Sequence, residues 1–203
     1  LEFRRVLFRS GYSNNVPGGY GQYMVLSEAL MLPVPNGLPT DFAALTEPMA
    51  VGFHAVQMAH MQKNEVALVI GCGPVGLAVI QSLKLKGIGP VVAADFSPAR
   101  RQLAEKLGAD MGVDPAEASP YDSWQAVASR DRDGHPLPPN PLTGNQEYRT
   151  GVYFECVGVP GVLDQIMSGA QRGGRVVVVG VCMEQDHIRP MLGITKELRS
   201  EEH

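Results

Sequence analysis

The sequence predicts an α/β chain built on a doubly wound parallel sheet. Three observations carry that expectation. From Glu65 onward, short apolar runs alternate with helix-like segments, and the first run, VALVI, is continuous, as a parallel strand covered on both faces requires. A glycine-rich turn, GCGPVG, follows that run directly and opens a helix. The second run, VVAAD, ends on an acid, Asp95.

Before the sheet, GGYGQYMVLS reads as a strand and LPVPNGLP as a proline-studded connector. This segment is too short to close a core of its own. Thr40 is expected to cap a helix, with Asp41 following it. Pro48 cannot sit inside a helix but suits a first turn, so a break is expected at Glu47 and a second helix over 48–61. The helix after GCGPVG is expected to end near Lys86, with Gly87 as its stop. Ser97 and Pro98 open the next, Gly108 closes it, and MGVD is a short third strand. A helix is expected around Trp124. The prolines and glycines of DRDGHPLPPNPLTGNQEY then disfavour regular structure, and the stretch reads as a surface insertion. GVYFECVG is the fourth strand, 160–170 a helix, and RVVVVG the fifth strand, where the sheet is expected to stop.

The two ends look foreign to the rest. Val6–Ser10 can be encoded by GTGCTCTTCCGATCT, and the reverse complement of that string encodes RSEEH, which is Arg199–His203. Mirror-image ends of this kind resemble sequencing-adapter read-through. Residues 1–10 and 199–203 are therefore expected not to be gene-encoded and are set aside, which makes the remainder an internal piece of a longer protein.

Of the 203 residues, 44% are hydrophobic and 19% charged, enough apolar content for a core. A net charge of −4 without a basic cluster gives no reason to expect nucleic acid or an anionic membrane as partner. The longest uncharged run is too short and glycine-rich for a membrane span. Cys72, Cys156 and Cys182 are far apart with no CxxC pair, which fits a reducing, cytoplasmic setting and excludes a self-contained zinc site.

Each glycine of GCGPVG has a physical task. Gly71 permits the tight turn, Gly73 lets the backbone approach a pyrophosphate, and Gly76 lets helix and strand pack closely. The helix that begins at Pro74 and Val75 offers its unpaired N–H groups, from Val75 onward, to an anion. Asp95 lies 19 residues after Gly76, where a carboxylate accepts hydrogen bonds from a ribose hydroxyl and repels a 2′-phosphate. NAD is thus expected over NADP, although Arg100 and Arg101 leave room for a phosphate. Cys72 is read as a small buried residue.

With these residues in hand, the chain resembles the zinc-containing alcohol dehydrogenases of the medium-chain dehydrogenase/reductase family. The matching text is GGYGQYMVL, LPVPNGLP, TEPMAVGFHAV, GCGPVG, AADFSPARRQLAEKLGAD, FECVG and GGRVVVVGV, spanning nearly all of 11–198. The resemblance implies a remnant of a GroES-like β catalytic domain over 11–45 and a Rossmann domain over 46–198. It implies that Cys156, Val157, Gly158, Gly180 and Val181 face the nicotinamide half of the cofactor, with Val75 behind the ring and Arg100 near the adenosine ribose. It also implies that Glu47, in TEP, is the glutamate version of a catalytic zinc position, as in polyol, threonine and sugar dehydrogenases. At a helix start the dipole favours its charged form, and a carboxylate oxygen is an acceptable zinc ligand.

The expected parent is then an NAD-dependent, zinc-assisted dehydrogenase of secondary alcohols or polyols, a homo-oligomer acting on a small alcohol or carbonyl substrate. No residue of this chain is assigned a catalytic role. The alternatives are a zinc-free reductase of quinones or activated double bonds, in which Glu47 only caps a helix, and a catalytically silent dinucleotide-binding module. His54 and His60, six apart, do not match a ligand pair, and His135 and His187 have no partner at metal spacing.

Overall fold

The computed structural model describes residues 18–19, 21–26 and 28–202. The chain divides into two compact units between Ala44 and Leu45. In the first, 3-10 turns over Glu28–Leu30 and Pro35–Gly37 precede a one-turn helix, α1 (Thr40–Ala43). Pro39, not Thr40, holds the position before α1, because its carbonyl already accepts the N–H groups of Phe42 and Ala43. The strand expected in GGYGQYMVLS is not formed among the described residues, and Tyr20 and Ser27 lie outside them. Gly21–Tyr23 bend and Met24–Leu26 are irregular and exposed. A lone strand leaves its N–H and C=O groups unpaired, and no described strand lies alongside this one.

The second unit opens with α2 (Thr46–Met58), earlier at both ends than the expected 48–61. The break falls at Ala44–Leu45 instead of Glu47, since the Leu45 carbonyl accepts the first helical bond from Met49 N–H. Pro48 still falls in the first turn, where its missing N–H has no partner to lose.

Strands and helices then alternate: β1 (Val66–Ile70), α3 (Pro74–Leu85), β2 (Val91–Ala94), α4 (Pro98–Leu107), β3 (Met111–Val113), α5 (Pro120–Ala128), β4 (Gly151–Glu155), α6 (Val162–Gly169) and β5 (Arg175–Val178). After them come α7 (Pro190–Lys196) and β6 (Arg199–Glu202). The six strands pair in parallel in the order β3-β2-β1-β4-β5-β6, so the chain reverses its direction of travel across the sheet between β1 and β4.

The expected stop at the fifth strand is corrected by β6. Arg199 to Glu202 pair in register with Arg175 to Val178, so the β5 edge is covered. The text RSEE has no apolar residue to mark it as a strand, and an edge strand needs only backbone pairing on one side.

Side-chain alternation divides the core in two. Ala67, Val69, Val91, Ala93, Val152, Phe154 and Val177 meet α2, α3 and α4 on one face. Val66, Leu68, Val92, Ala94, Tyr153 and Val176 meet α5 and α6 on the other. The second face is centred on Trp124, whose Nε1 donates to the Val66 carbonyl at 3.2 Å and whose ring lies 5.4 Å from that of Tyr153. The proline-rich stretch is more ordered than its composition suggests. Asn140 Oδ1 accepts the N–H groups of Leu142 and Thr143, and its Nδ2 donates to Glu147 at 2.6 Å.

Candidate functional site

Register brings four strand ends into one row. Ile70 pairs with Ala94 and with Glu155, and Glu155 pairs with Val178. The next residues, Gly71, Asp95, Cys156 and Val179, therefore stand together at the carboxyl end of the sheet, beside the β1/β4 reversal. Crevices of this kind are where open α/β sheets bind ligands.

The turn between β1 and α3 needs its glycines for three different reasons. Gly71 has φ +93, and a Cβ there would stand 2.8 Å from Val157 Cγ2. Gly76 is closed in more tightly, since a Cβ would come within 1.9 Å of the Gly71 carbonyl oxygen. Gly73 is the opposite case: its φ of −72 suits any residue, and a Cβ would meet nothing within 4 Å. Nothing in the fold requires glycine at 73, so the open space beside it is available to a ligand. The N–H groups of Val75 and Gly76 belong to the first turn of α3, which has no carbonyls of its own to offer them. Pro74 is exposed, and Val75 is half-buried against the first-face core.

Asp95 is held in place before any ligand arrives. Its Oδ2 accepts the Cys72 N–H at 2.8 Å and its Oδ1 accepts the Ser97 N–H at 2.8 Å, while Arg100 lies 3.7 Å away. The acid thereby ties the glycine turn to the start of α4. Each carboxylate oxygen keeps one further lone pair for an outside donor. Cys72 is fully buried, and burial first, then the Asp95 charge, push its thiol up to about 12, against the opposing pull of Arg100 and Arg101. Burial and the raised pKa both disfavour the thiolate that redox chemistry uses.

The loops after β4 and β5 are fastened by Glu155, a residue that sequence reasoning passed over as part of a strand. Its carboxylate is buried, and Oε1 accepts the N–H groups of Val157 and Gly158 at 2.7 and 2.9 Å. Its carbonyl accepts the N–H groups of Val179 and Gly180. Gly158, at φ +71, packs so closely that a Cβ would stand 2.8 Å from Val181 backbone atoms. Val157 and Val181 are exposed beyond this clamp. Burial, then Glu155 and Cys72, raise the Cys156 thiol well above its ordinary 9.0. The one available signal for Glu155 was an acid at the end of an otherwise apolar strand.

Glu47 is exposed in the first turn of α2. Two contacts fix the direction of that helix. A Cβ on Gly52 would touch Ala78 and Val79, and Gln57 Oε1 accepts from Lys86 Nζ at 2.8 Å. Residues later in α2 thus meet residues later in α3, so the helices run side by side in the same direction. Glu47, at the start of α2, consequently lies at the same end as the start of α3, on the carboxyl side of the sheet. Gly52, also passed over, permits this close approach. Among the described residues, the side chains of metal-binding type that do gather are Asp131, Asp133 and His135, far from Glu47 in sequence. His135 therefore has neighbours that its sequence context did not reveal. Asp133 and His135 are exposed and Asp131 half-buried, and the Asp131 carboxylate already accepts the N–H groups of Asp133 and His135.

Residues 74–201 match the family described as zinc-binding dehydrogenases. The chain is 34% identical over 180 residues to the (R,R)-butanediol dehydrogenase of Bacillus subtilis, covering 89% of this chain and 47% of that protein. It is 33% identical over 172 residues to an erythritol/L-threitol dehydrogenase of Mycolicibacterium smegmatis, covering 84% and 43%. The crystal structure of 2R,3R-butanediol dehydrogenase from Bacillus subtilis superposes with a TM-score of 0.69 at 31% identity, covering 92% of this chain and 48% of that one. The chain spans about half the length of these relatives. No helix among the described residues is long and apolar enough to cross a membrane. Since the family match takes in most of its length, and the matched residues include Gly76, Asp95 and Glu155, the chain belongs to the zinc-binding dehydrogenase family.

Proposed function

We propose that this chain is the dinucleotide-binding part of an NAD-linked dehydrogenase acting on small secondary alcohols or polyols. The observation that carries the reading is the open space at Gly73 beside an Asp95 already fixed by the Cys72 N–H. A pyrophosphate at Gly73 receives the N–H groups that begin α3. The two spare lone pairs of Asp95 receive ribose hydroxyls, and its charge opposes a 2′-phosphate, which supports NAD over NADP. Arg100, exposed and 3.7 Å from Asp95, lies where it can cover the adenosine side.

Bound there, a nicotinamide dinucleotide supplies the ring that accepts hydride. The residues of this chain hold that ring: Glu155 fixes the loop of Val157 and Gly158, and the exposed Val157 and Val181 side chains give it an apolar wall. Zinc is a different matter. One carboxylate does not hold it, and no group of three or more ligand-type side chains among the described residues includes Glu47. Glu47 is proposed to supply a single carboxylate to a zinc site completed elsewhere in a longer protein. The substrate class rests on relatives named for butanediol and for erythritol or threitol.

Calorimetric titration of the chain with NADH and NADPH tests the cofactor reading. NADH is expected to bind at least about tenfold tighter, and equal affinity would refute the role given to Asp95. In the longer protein, butanediol- or threitol-dependent reduction of NAD together with bound zinc supports the dehydrogenase reading. Turnover of a quinone without zinc would replace it.

A further inference from the structure

A cavity of about 720 Å³ opens at the amino-terminal end of the sheet, opposite the Gly71–Gly76 turn. It is lined by the segments that lead into β2, β3 and β4, which share one end because the strands are parallel. Its volume lies in the ordinary range of small-molecule sites, about 300–1,000 Å³.

Charge in this cavity is unbalanced. Lys84, Arg130, Arg132 and Arg149 line it, with Asp110 and Asp131 as the opposing acids. Both acids are already engaged by the chain. Asp110 Oδ2 accepts the Val91 N–H at 2.7 Å. Asp131 Oδ1 accepts the N–H groups of Asp133 and His135, and its Oδ2 lies 3.4 Å from His135 Nδ1.

Arg149 is the most informative of the cations. It is only 9% exposed, yet its hydrogen bonds go to main-chain carbonyls alone, Nε to Asn64 at 2.7 Å and Nη2 to Gly89 at 3.3 Å. It enters no salt bridge among the described residues. The Asp131 charge favours this guanidinium from beyond ion-pair distance, but a buried guanidinium with no carboxylate in contact remains costly, and an anion entering the cavity relieves that cost. Burial, with the neighbouring Arg132 charge, also lowers the Arg149 pKa from its ordinary value. Met111 and Val127 add apolar surface beside the charges.

We propose that this cavity binds a small polyanion, a phosphorylated or polycarboxylated metabolite whose oxyanion pairs with Arg149 and is covered by Arg130 and Arg132. The site is separate from the dinucleotide crevice, since the two lie at opposite ends of the strands.

The test is calorimetric titration of the full chain with inorganic pyrophosphate and, separately, with citrate. Binding of at least one is expected, with pyrophosphate preferred by a phosphate site and citrate by a carboxylate site. The double variant R130A/R132A, altered only at exposed side chains, is expected to melt as the unaltered chain does without anion and to bind at least about tenfold more weakly. Gly73→Glu, which places a negative charge in the dinucleotide crevice, is expected to leave the affinity unchanged. No binding of either anion at about 10 mM would overturn the proposal. So would binding undiminished in R130A/R132A, or binding abolished by Gly73→Glu.

Discussion

Replacing Gly73 by alanine separates ligand binding from folding at a single methyl group. The backbone there, φ −72 and ψ −175, is open to any residue, and the added Cβ meets nothing within 4 Å. Loss of glycine freedom in the unfolded chain stabilises by about 0.4–1 kcal/mol. Alanine is a poorer residue than glycine at a helix N-cap, which costs a similar amount, about 0.5–1 kcal/mol. Stability is therefore expected to change by less than about 0.5 kcal/mol. The methyl instead stands where a pyrophosphate must reach the backbone, and losing one charge-assisted hydrogen bond costs about 1.5–3 kcal/mol, or roughly ten- to a hundredfold in NADH affinity. Gly76→Ala is the counterpart. Its Cβ would lie 1.9 Å from a main-chain oxygen, so strand and helix must part. The expected loss is about 3 kcal/mol of stability. Urea denaturation and calorimetric NADH titration of both variants measure the two effects. Unaltered NADH affinity in Gly73→Ala would refute the placement of the pyrophosphate. A stability loss in Gly73→Ala equal to that of Gly76→Ala would show that the turn needs glycine there for folding.

Glu155→Ala leaves the N–H groups of Val157 and Gly158 without their acceptor and is expected to cost about 2–4 kcal/mol in a urea melt. Glu155→Gln keeps an oxygen and is expected to cost about half as much; an alanine variant as stable as the parent would show the loop is held by other means. The Cys72 thiol is raised to about 12 in the folded chain and that of Cys156 well above 9.0, so the stability they contribute is whole below the ordinary value of 9.0 and is lost as pH rises past it, toward about 12 for Cys72. Alkylation at neutral pH is accordingly expected to mark Cys182 first, and equal labelling of all three in the folded chain would contradict this burial. Removing 199–203 deletes edge strand β6, in which Arg199 and Ser200 are exposed and Glu201 half-exposed, and takes no residue of either core cluster. Cooperative melting is expected to persist, and its loss would show that β6 supports the sheet through more than edge pairing.

What the sequence made legible, and what it did not, follows from what each residue's pattern encodes. VALVI and GVYFE are continuous because both faces of those strands are covered, and burial on both faces is what an apolar run records. The spacing of GCGPVG and Asp95 was readable because steric need acts locally, within one turn and one strand. Pairing is not local. RSEE forms β6 through backbone bonds to β5, and its side chains carry no trace of them. GGYGQYMVLS fails as a strand for the converse reason, since its composition suits a strand but no described neighbour supplies the bonds. Glu155 shows the same limit inside the site. Its identity is plain in the sequence, but its role depends on two N–H groups that turn back toward it and on a second loop brought alongside by β5. The cavity cations repeat the pattern across greater distance, as Lys84, Arg130 and Arg149 converge only because parallel strands bring their starting ends together. Chemistry set by neighbours in the chain could be read in advance, whereas chemistry set by neighbours in the sheet had to await the register.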